Sequence, residues 1–230
     1  MVKFYLLIGP SGVGKSKLQE KLVSDLEHIV RSISATTRPP REEEHDGTDY
    51  FFYNQKVFFD MVGSDEFLEF KEYAGEHYGT PKKFIEDTLN GGSDVVGVIE
   101  VKGAQTIIKQ FEKEKRRECV VSIFVYPEHF QDLVTHLKQR DTKSGYSRKR
   151  LKDMKRRIMK RMTIAVEEIE HLNDFDYRIC MRHNKFDETY NQLRSIVIIE
   201  RARDTVDESY ASRFVKDYTA FCKSYRSRKA

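Results

Sequence analysis

Residues 2–16 read V-K-F-Y-L-L-I-G-P-S-G-V-G-K-S, and Gly9-Pro10-Ser11-Gly12-Val13-Gly14-Lys15-Ser16 within them satisfy the phosphate-cradling pattern G-x-x-x-x-G-K-[ST]. The flanks give the pattern its meaning. Val2 to Ile8 is a short apolar run with β-branched and aromatic members, the composition of a strand buried in a parallel sheet. After the loop, Leu18, Leu22, Leu26, Ile29 and Val30 recur at helical spacing among charged residues, which predicts an amphipathic helix. Gly9, Gly12 and Gly14 allow successive N–H groups to turn inward, so that they and the helix N-terminus face one anion. Lys15 adds a mobile positive charge for the β- and γ-phosphates, and the Ser16 hydroxyl is the expected Mg²⁺ ligand. Gly9, Ser11, Gly12, Val13, Gly14, Lys15 and Ser16 are therefore the candidate residues for binding a nucleoside triphosphate.

A chain of 230 residues fits one domain, or a core with small inserts. With 39% hydrophobic and 34% charged residues it reads as a globular protein, and no stretch approaches the apolar length of a membrane span. Met1 leads directly into the first strand without a signal-peptide pattern, so a cytoplasmic location is expected. Cys119, Cys180 and Cys222 are widely spaced, with no C-x-x-C pairing, and read as reduced structural thiols. The net charge of +4 is unevenly spread: Lys138 to Arg161 holds twelve Lys or Arg against two Asp, a local +10 that leaves −6 for the rest.

Farther along, Arg31 to Thr37 leads into Arg38-Pro39-Pro40-Arg41, where the prolines break regular structure and present two arginines on a loop. Residues 49–53 read as a strand, 55–61 as a short helix and 67–73 as a strand. Tyr78 to Pro81 reads as a turn that opens a helix over 82–89. Asp94 to Val101, Val120 to Val125 and Tyr177 to Met181 are further strands. Helices are expected over 129–139, around Ile164, Val166 and Ile169, and over 187–199. Strands alternating with helices argue for a parallel sheet covered on both faces. Tyr210, Phe214, Tyr218 and Phe221 suggest a final amphipathic helix packed on its own core.

Several separated motifs now stand in order: G-P-S-G-V-G-K-S, S-x-T-T-R-P-P-R-x-x-E-x-x-G-x-D-Y from Ser34 to Tyr50, E-F-L-E-F from Glu66 to Phe70, and H-Y-G-T-P from His77 to Pro81. Through them the sequence resembles the guanylate kinases over roughly residues 3–199. The resemblance implies an α/β fold: a P-loop nucleoside monophosphate kinase-like three-layer core with a parallel sheet, a small αβ GMP-binding insert and a helical lid. Residues 1–33 and 82–199 would form the core, with the lid within about 136–165, residues 34–81 the insert, and 200–230 a C-terminal helical extension. The implied reaction is Mg²⁺-dependent transfer of the ATP γ-phosphate to GMP or dGMP, with ATP as co-substrate and the protein a monomer or homodimer.

The residues suit that acceptor. Arg38 and Arg41 offer planar forks for a phosphate, and Tyr50 and Tyr78 can donate phenolic hydroxyls to the same group. Guanine carries donors at N1 and N2 and an acceptor at O6, so a reader needs carboxylates on one edge and a hydroxyl on the other. By the resemblance, Ser34, Glu69, Thr80 and Glu100 match the base-reading positions, Gly79 belongs to the same GMP-binding stretch, and Glu44 and Asp49 match positions that would orient the arginines. Adenine would set its N1 acceptor against a carboxylate, a penalty on the order of a few kcal/mol. A phosphate monoester has a second pKa near ~6, so the acceptor oxygen needs no catalytic base. Catalysis is then alignment and charge neutralisation by Lys15, Arg38 and the lid arginines Arg140 and Arg161.

Four places depart from the family pattern. The lid is about ten residues longer than the resemblance leads one to expect, so Arg148, Arg150, Arg156 or Arg157 are alternatives to the two lid arginines. His136 stands where an arginine is usual, and Val98 where the first carboxylate of D-x-D-x-Q-G belongs, which predicts reduced turnover. Either Met181 or Asn184 could align with the V-N near the last strand. Two readings compete with the enzyme. One is a catalytically weak guanylate-kinase-like module that binds a protein partner. The other, nucleic-acid binding by the basic segment, lacks aromatic interleaving beyond Tyr146 and ranks last.

Overall fold

The computed structural model describes residues 1–73, 75–141, 148–203 and 215–216. Val2–Arg194 form one compact unit that holds every described strand; the second begins at Ser195. The first strand, β1 (Phe4–Ile8), has all five side chains fully buried, as its uniformly apolar sequence requires of a strand covered on both faces. It lies at the centre of a five-stranded sheet with β2 (Ile29–Arg31), β7 (Asp94–Val98), β8 (Val120–Pro127) and β9 (Tyr177–Met181), in the order β2-β7-β1-β8-β9. Every neighbouring pair is parallel, with Phe4 opposite both Val95 and Val120. Parallel neighbours need crossovers, and helices supply them. They are α1 (Lys15–Asp25), α3 (Lys82–Asn90), α4 (Val101–Lys113), α5 (Phe130–Asp141) and α6 (Arg148–Glu170), while α7 (Phe186–Arg203) follows the last strand. Phe4, Leu6 and Ile8 pack on Ile85, Leu89, Ala104, Ile107 and Phe111 from α3 and α4.

A second, four-stranded sheet uses β3 (Ala35–Thr36), β4 (Phe51–Phe52), β5 (Phe67–Tyr73) and β6 (Glu76–Pro81), in the order β4-β3-β6-β5. Its small core joins Ala35, Phe58 and Phe67, with Phe58 carried by α2 (Gln55–Gly63). Asn54 caps α2, its side-chain oxygen accepting from the Val57 N–H at 2.9 Å. In the second unit the last turns of α7 carry an Arg203–Glu200 pair at 3.6 Å.

Several local expectations need correction. The first helix ends at Asp25; Ile29 and Val30 belong to β2, where these β-branched residues pair with β7. Tyr78 to Pro81 is the end of strand β6, paired to β5, and not a turn. Ala35–Thr36, in the stretch that leads into the Arg38–Arg41 loop, forms β3 between β4 and β6. The strand expected to run to Val101 stops at Val98, and Val101 instead opens α4, whose buried Val101, Ala104, Ile107 and Phe111 recur at helical spacing. The helix expected around Ile164, Val166 and Ile169 is α6; Val166 and Ile169 are 55% and 38% exposed, and the helix turns Ile158, Met162, Ala165 and Glu168 inward. The stripe at Tyr210, Phe214, Tyr218 and Phe221 lies outside the described residues, as do Tyr146 and Cys222. No described helix is long and apolar enough to cross a membrane.

Candidate active site

The loop between β1 and α1 bounds a cavity of about 1100 Å³. Gly9 has φ 125°, and a Cβ there would stand 2.1 Å from the Val125 carbonyl oxygen, so the turn out of β1 is open only to glycine. Gly12 and Gly14 also have positive φ, and Gly14 leads into the first turn of α1. Lys15 is only 8% exposed; its Nζ donates to the Gly9 carbonyl and, at 2.9 Å, to that of Pro10. Burial draws its pKa down to about 8, against the pull of the Glu168 and Glu100 carboxylates. Gly9, Ser11, Gly12, Val13, Gly14, Lys15 and Ser16 all line the cavity.

The second sheet supplies the facing wall. Arg38 is held from two sides: Nη2 lies 2.9 Å from Glu44, and Nη1 donates to the Pro39 carbonyl at 2.8 Å. Its guanidinium carbon stands 5.5 Å from the Tyr50 ring centre. Glu44 also accepts from the Arg41 N–H at 2.9 Å, with the Arg41 side chain 3.7 Å away. Burial works against the Glu44 anion, but the Arg41 N–H and the Arg38 guanidinium keep its carboxyl below the usual range. Glu44 thus touches both arginines, whereas Asp49 bonds the His45 N–H at 2.9 Å and approaches Arg31 at 3.9 Å. Tyr50 and Tyr78 meet edge-on with ring centres 6.1 Å apart.

Deeper in, Glu69 Oε1 accepts from the Thr80 hydroxyl at 2.7 Å, and Thr80 is fully buried. Burial raises the Glu69 pKa, with the Thr80 hydrogen bond opposing. A Cβ on Gly103 would come within 2.9 Å of Glu69 Oε2, so α4 packs closely behind that carboxylate. Glu100 pairs with Lys71 at the start of α4. Ser34, Arg41, Gly79 and Glu100 reach the same cavity as Lys15.

The third wall comes from α5, α6 and the segment after β9. Arg161 lines the cavity, and its buried Nη1 meets no acceptor among the described residues. The side chains of Arg140, Arg148, Arg150 and Arg157 lie outside the described part of the structure, and Arg156 is exposed. His136 and Val98 both border the cavity, as do Met181 and Asn184. The His136 and His183 rings stand 6.5 Å apart, and His183 Nδ1 lies 3.5 Å from Asp132. Glu168 lines the same space at 8% exposure, its carboxyl pushed up to about 7 by burial. Sequence reasoning missed Glu168 because a buried carboxylate in a helical stripe looks like one more charge in a charged helix.

A central parallel sheet with a glycine-rich loop after β1, and a small second sheet facing the same cavity, define a nucleoside monophosphate kinase fold. Residues 1–200 match the family model described as guanylate kinase. A guanylate kinase of Desulfitobacterium hafniense is 33% identical over 198 residues, 86% of this chain and 90% of that protein. One from Thermotoga maritima is 32% identical over 212 residues, covering 92% and 94%. The crystal structure of guanylate kinase from Anaplasma phagocytophilum superposes with a TM-score of 0.61 at 30% identity, over 86% of each chain. The chain belongs to the guanylate kinase family.

Proposed function

We propose that this cavity moves the γ-phosphoryl group of ATP to GMP, giving ADP and GDP. The observation that carries the reading is that one cavity is bounded both by the Lys15 loop and by the Arg38, Tyr50, Tyr78 and Glu69 cluster, so two anionic substrates can meet end to end. Lys15 and the loop N–H groups hold the donor phosphates. Arg38 and Arg41, pre-aimed by Glu44, hold the acceptor phosphate with the two tyrosine hydroxyls. Glu69, fixed by Thr80, reads the guanine N–H edge with Glu100, and Ser34 lies beside them. The buried Arg161 Nη1, without an acceptor among the described residues, is a donor waiting for an anion, which suits a lid arginine closing on the transferring phosphoryl. Residues 34–81 then act as the acceptor-binding insert, and 136–165 as the lid.

Nucleotide kinases of this kind use Mg²⁺ with ATP, where the ion neutralises charge between the β- and γ-phosphates. The donor set fits. Ser16, in the first turn of α1 at the cavity wall, offers a hard oxygen, and no group of three or more His, Cys, Asp or Glu able to hold a metal occurs among the described residues. One protein oxygen, with phosphates and water completing the shell, is how Mg²⁺ is commonly held in such sites. The alternative of a protein-interaction module is not favoured, since the relatives found are named as guanylate kinases and Lys15 and Ser16 are both present.

The test is ADP release coupled to a dye-linked assay with GMP, dGMP, AMP and other monophosphates, on the parent and on Lys15→Ala. GMP-dependent turnover lost in the variant is expected; no turnover with GMP in the parent would overturn the reading.

A further inference from the structure

Glu168 lies in the last turn of α6, at a position where its own helix calls for an apolar residue. Ile158, Met162, Ala165 and Glu168 follow one another at helical spacing, and all are buried. A carboxylate is costly there unless a charge answers it. Its carboxyl has no hydrogen-bond or ion-pair partner within bonding distance among the described residues, and it opens instead into the cavity that Lys15 lines. The charged groups that face it are Lys15 from α1, Lys71 from β5, Glu100 from the start of α4, and Glu167 beside it on α6. Lys71 and Glu100 pair with each other and largely cancel. Val98, at the end of β7, borders the cavity and carries no charge. Of the cavity's other charges, Arg38 and Arg41 are engaged by Glu44, Glu69 accepts from Thr80, and Arg161 stands two turns back on α6; of the groups that face Glu168, Lys15 is the buried cation, and it spends two of its three donors on neutral carbonyls.

We propose that Glu168 is a positioning residue for Lys15, its counter-charge in the empty cavity, and that the triphosphate of ATP takes its place, so that ATP binding transfers a proton from solvent to the Glu168 carboxylate. This rests on the reading of Lys15 as a donor-phosphate ligand. Once the phosphates neutralise Lys15, the Glu168 anion is left buried beside several like charges, and protonation relieves the repulsion. A carboxyl already drawn up to about 7 by burial is ionised in part at neutral pH and needs little further push.

Calorimetric titration of the full chain with Mg²⁺ and the non-hydrolysable analogue AMP-PNP, in two pH 7 buffers of different ionisation enthalpy, reads the proton directly. The parent should take up about half a proton more than Glu168→Gln, and its affinity should fall by up to about tenfold between pH 6 and pH 8 relative to that variant. Glu168→Asp should restore the pH dependence in part. Equal proton uptake and parallel pH profiles in parent and Glu168→Gln would overturn the proposal. Should the Gln variant fail to fold, infrared difference spectra of the parent serve instead. Nucleotide should raise a protonated-carboxyl band, and an unchanged carboxylate band would overturn the proposal. AMP-PNP that binds without proton uptake sinks the counter-charge alone, whereas failure to bind at all sinks the donor-site reading with it.

Discussion

Lys15 holds the sharpest conflict between stability and use in the molecule. Its pKa falls from 10.5 to about 8 because burial disfavours the ammonium, so the charge is present below about 8 and lost above it. kcat/KM for ATP, which reports the free enzyme, should therefore decline as pH rises through 8, while kcat, set with phosphates already on the lysine, should hold to higher pH. The same shift is a folding cost at neutral pH, since the folded state binds the proton less well than the unfolded chain. It corresponds to about 3 kcal/mol, relieved as pH rises from about 8 to 10.5. Lys15→Met would remove that cost but also two hydrogen bonds of about 1 kcal/mol each and the charge that answers Glu168, so the unliganded protein should change little in stability while losing activity. Denaturant midpoints at pH 7 check this. On the acceptor side, Arg38→Ala should raise the KM for GMP by tenfold or more with a smaller change in kcat, because a charge-assisted contact contributes about 1.5–3 kcal/mol. Glu69→Gln should cut the preference for GMP over AMP by about 10²-fold, since it removes the buried anion that rejects adenine N1. Parallel assays on the two monophosphates decide it.

At the scale of elements, the site depends on how closely helices approach the strands behind it. Gly103 on α4 leaves room for Glu69 Oε2, so Gly103→Ala should displace the carboxylate and raise the GMP KM several-fold with little change in the KM for ATP. Steady-state kinetics with each substrate varied in turn separate the two. Elements were legible in the sequence where one period dominated. The uniformly apolar β1 and β8, and the loop octet between β1 and α1, could be read directly from residue type. The misreadings fell where two periods overlap or where partners are distant. Ile29 and Val30 continue a helical count and yet pair with a strand 65 residues away, at Asp94 and Val95. Gly79 and Pro81 look like a turn until β5 is laid against them. Within the site, the grouping of Arg38, Arg41, Tyr50 and Tyr78 on one cavity was legible because these residue types have few other uses in that pattern. Glu168 was not, since its significance comes only from which way α6 faces.

For the whole molecule, the separation of donor and acceptor walls predicts additive stabilisation by ligands. GMP at a hundred times its Kd should stabilise the fold by about 2.7 kcal/mol, raising Tm by about 5–10 °C for a chain of this size. AMP at the same concentration should raise it by far less, and thermal unfolding followed by fluorescence gives the answer.

The central place of β1 has a further consequence during synthesis. Phe4 to Ile8 leave the ribosome well before their two partners, β7 and β8, which begin at Asp94 and Val120. At about 5–20 residues per second, roughly 5 to 18 s separate Phe4 from Asp94, where the nearer partner begins. For that interval the nascent chain carries F-Y-L-L-I, uncharged and free of proline, with both edges open. A fully buried strand of the finished protein is thus an aggregation-prone stretch while it is being made, and a segment for a nascent-chain chaperone to shield.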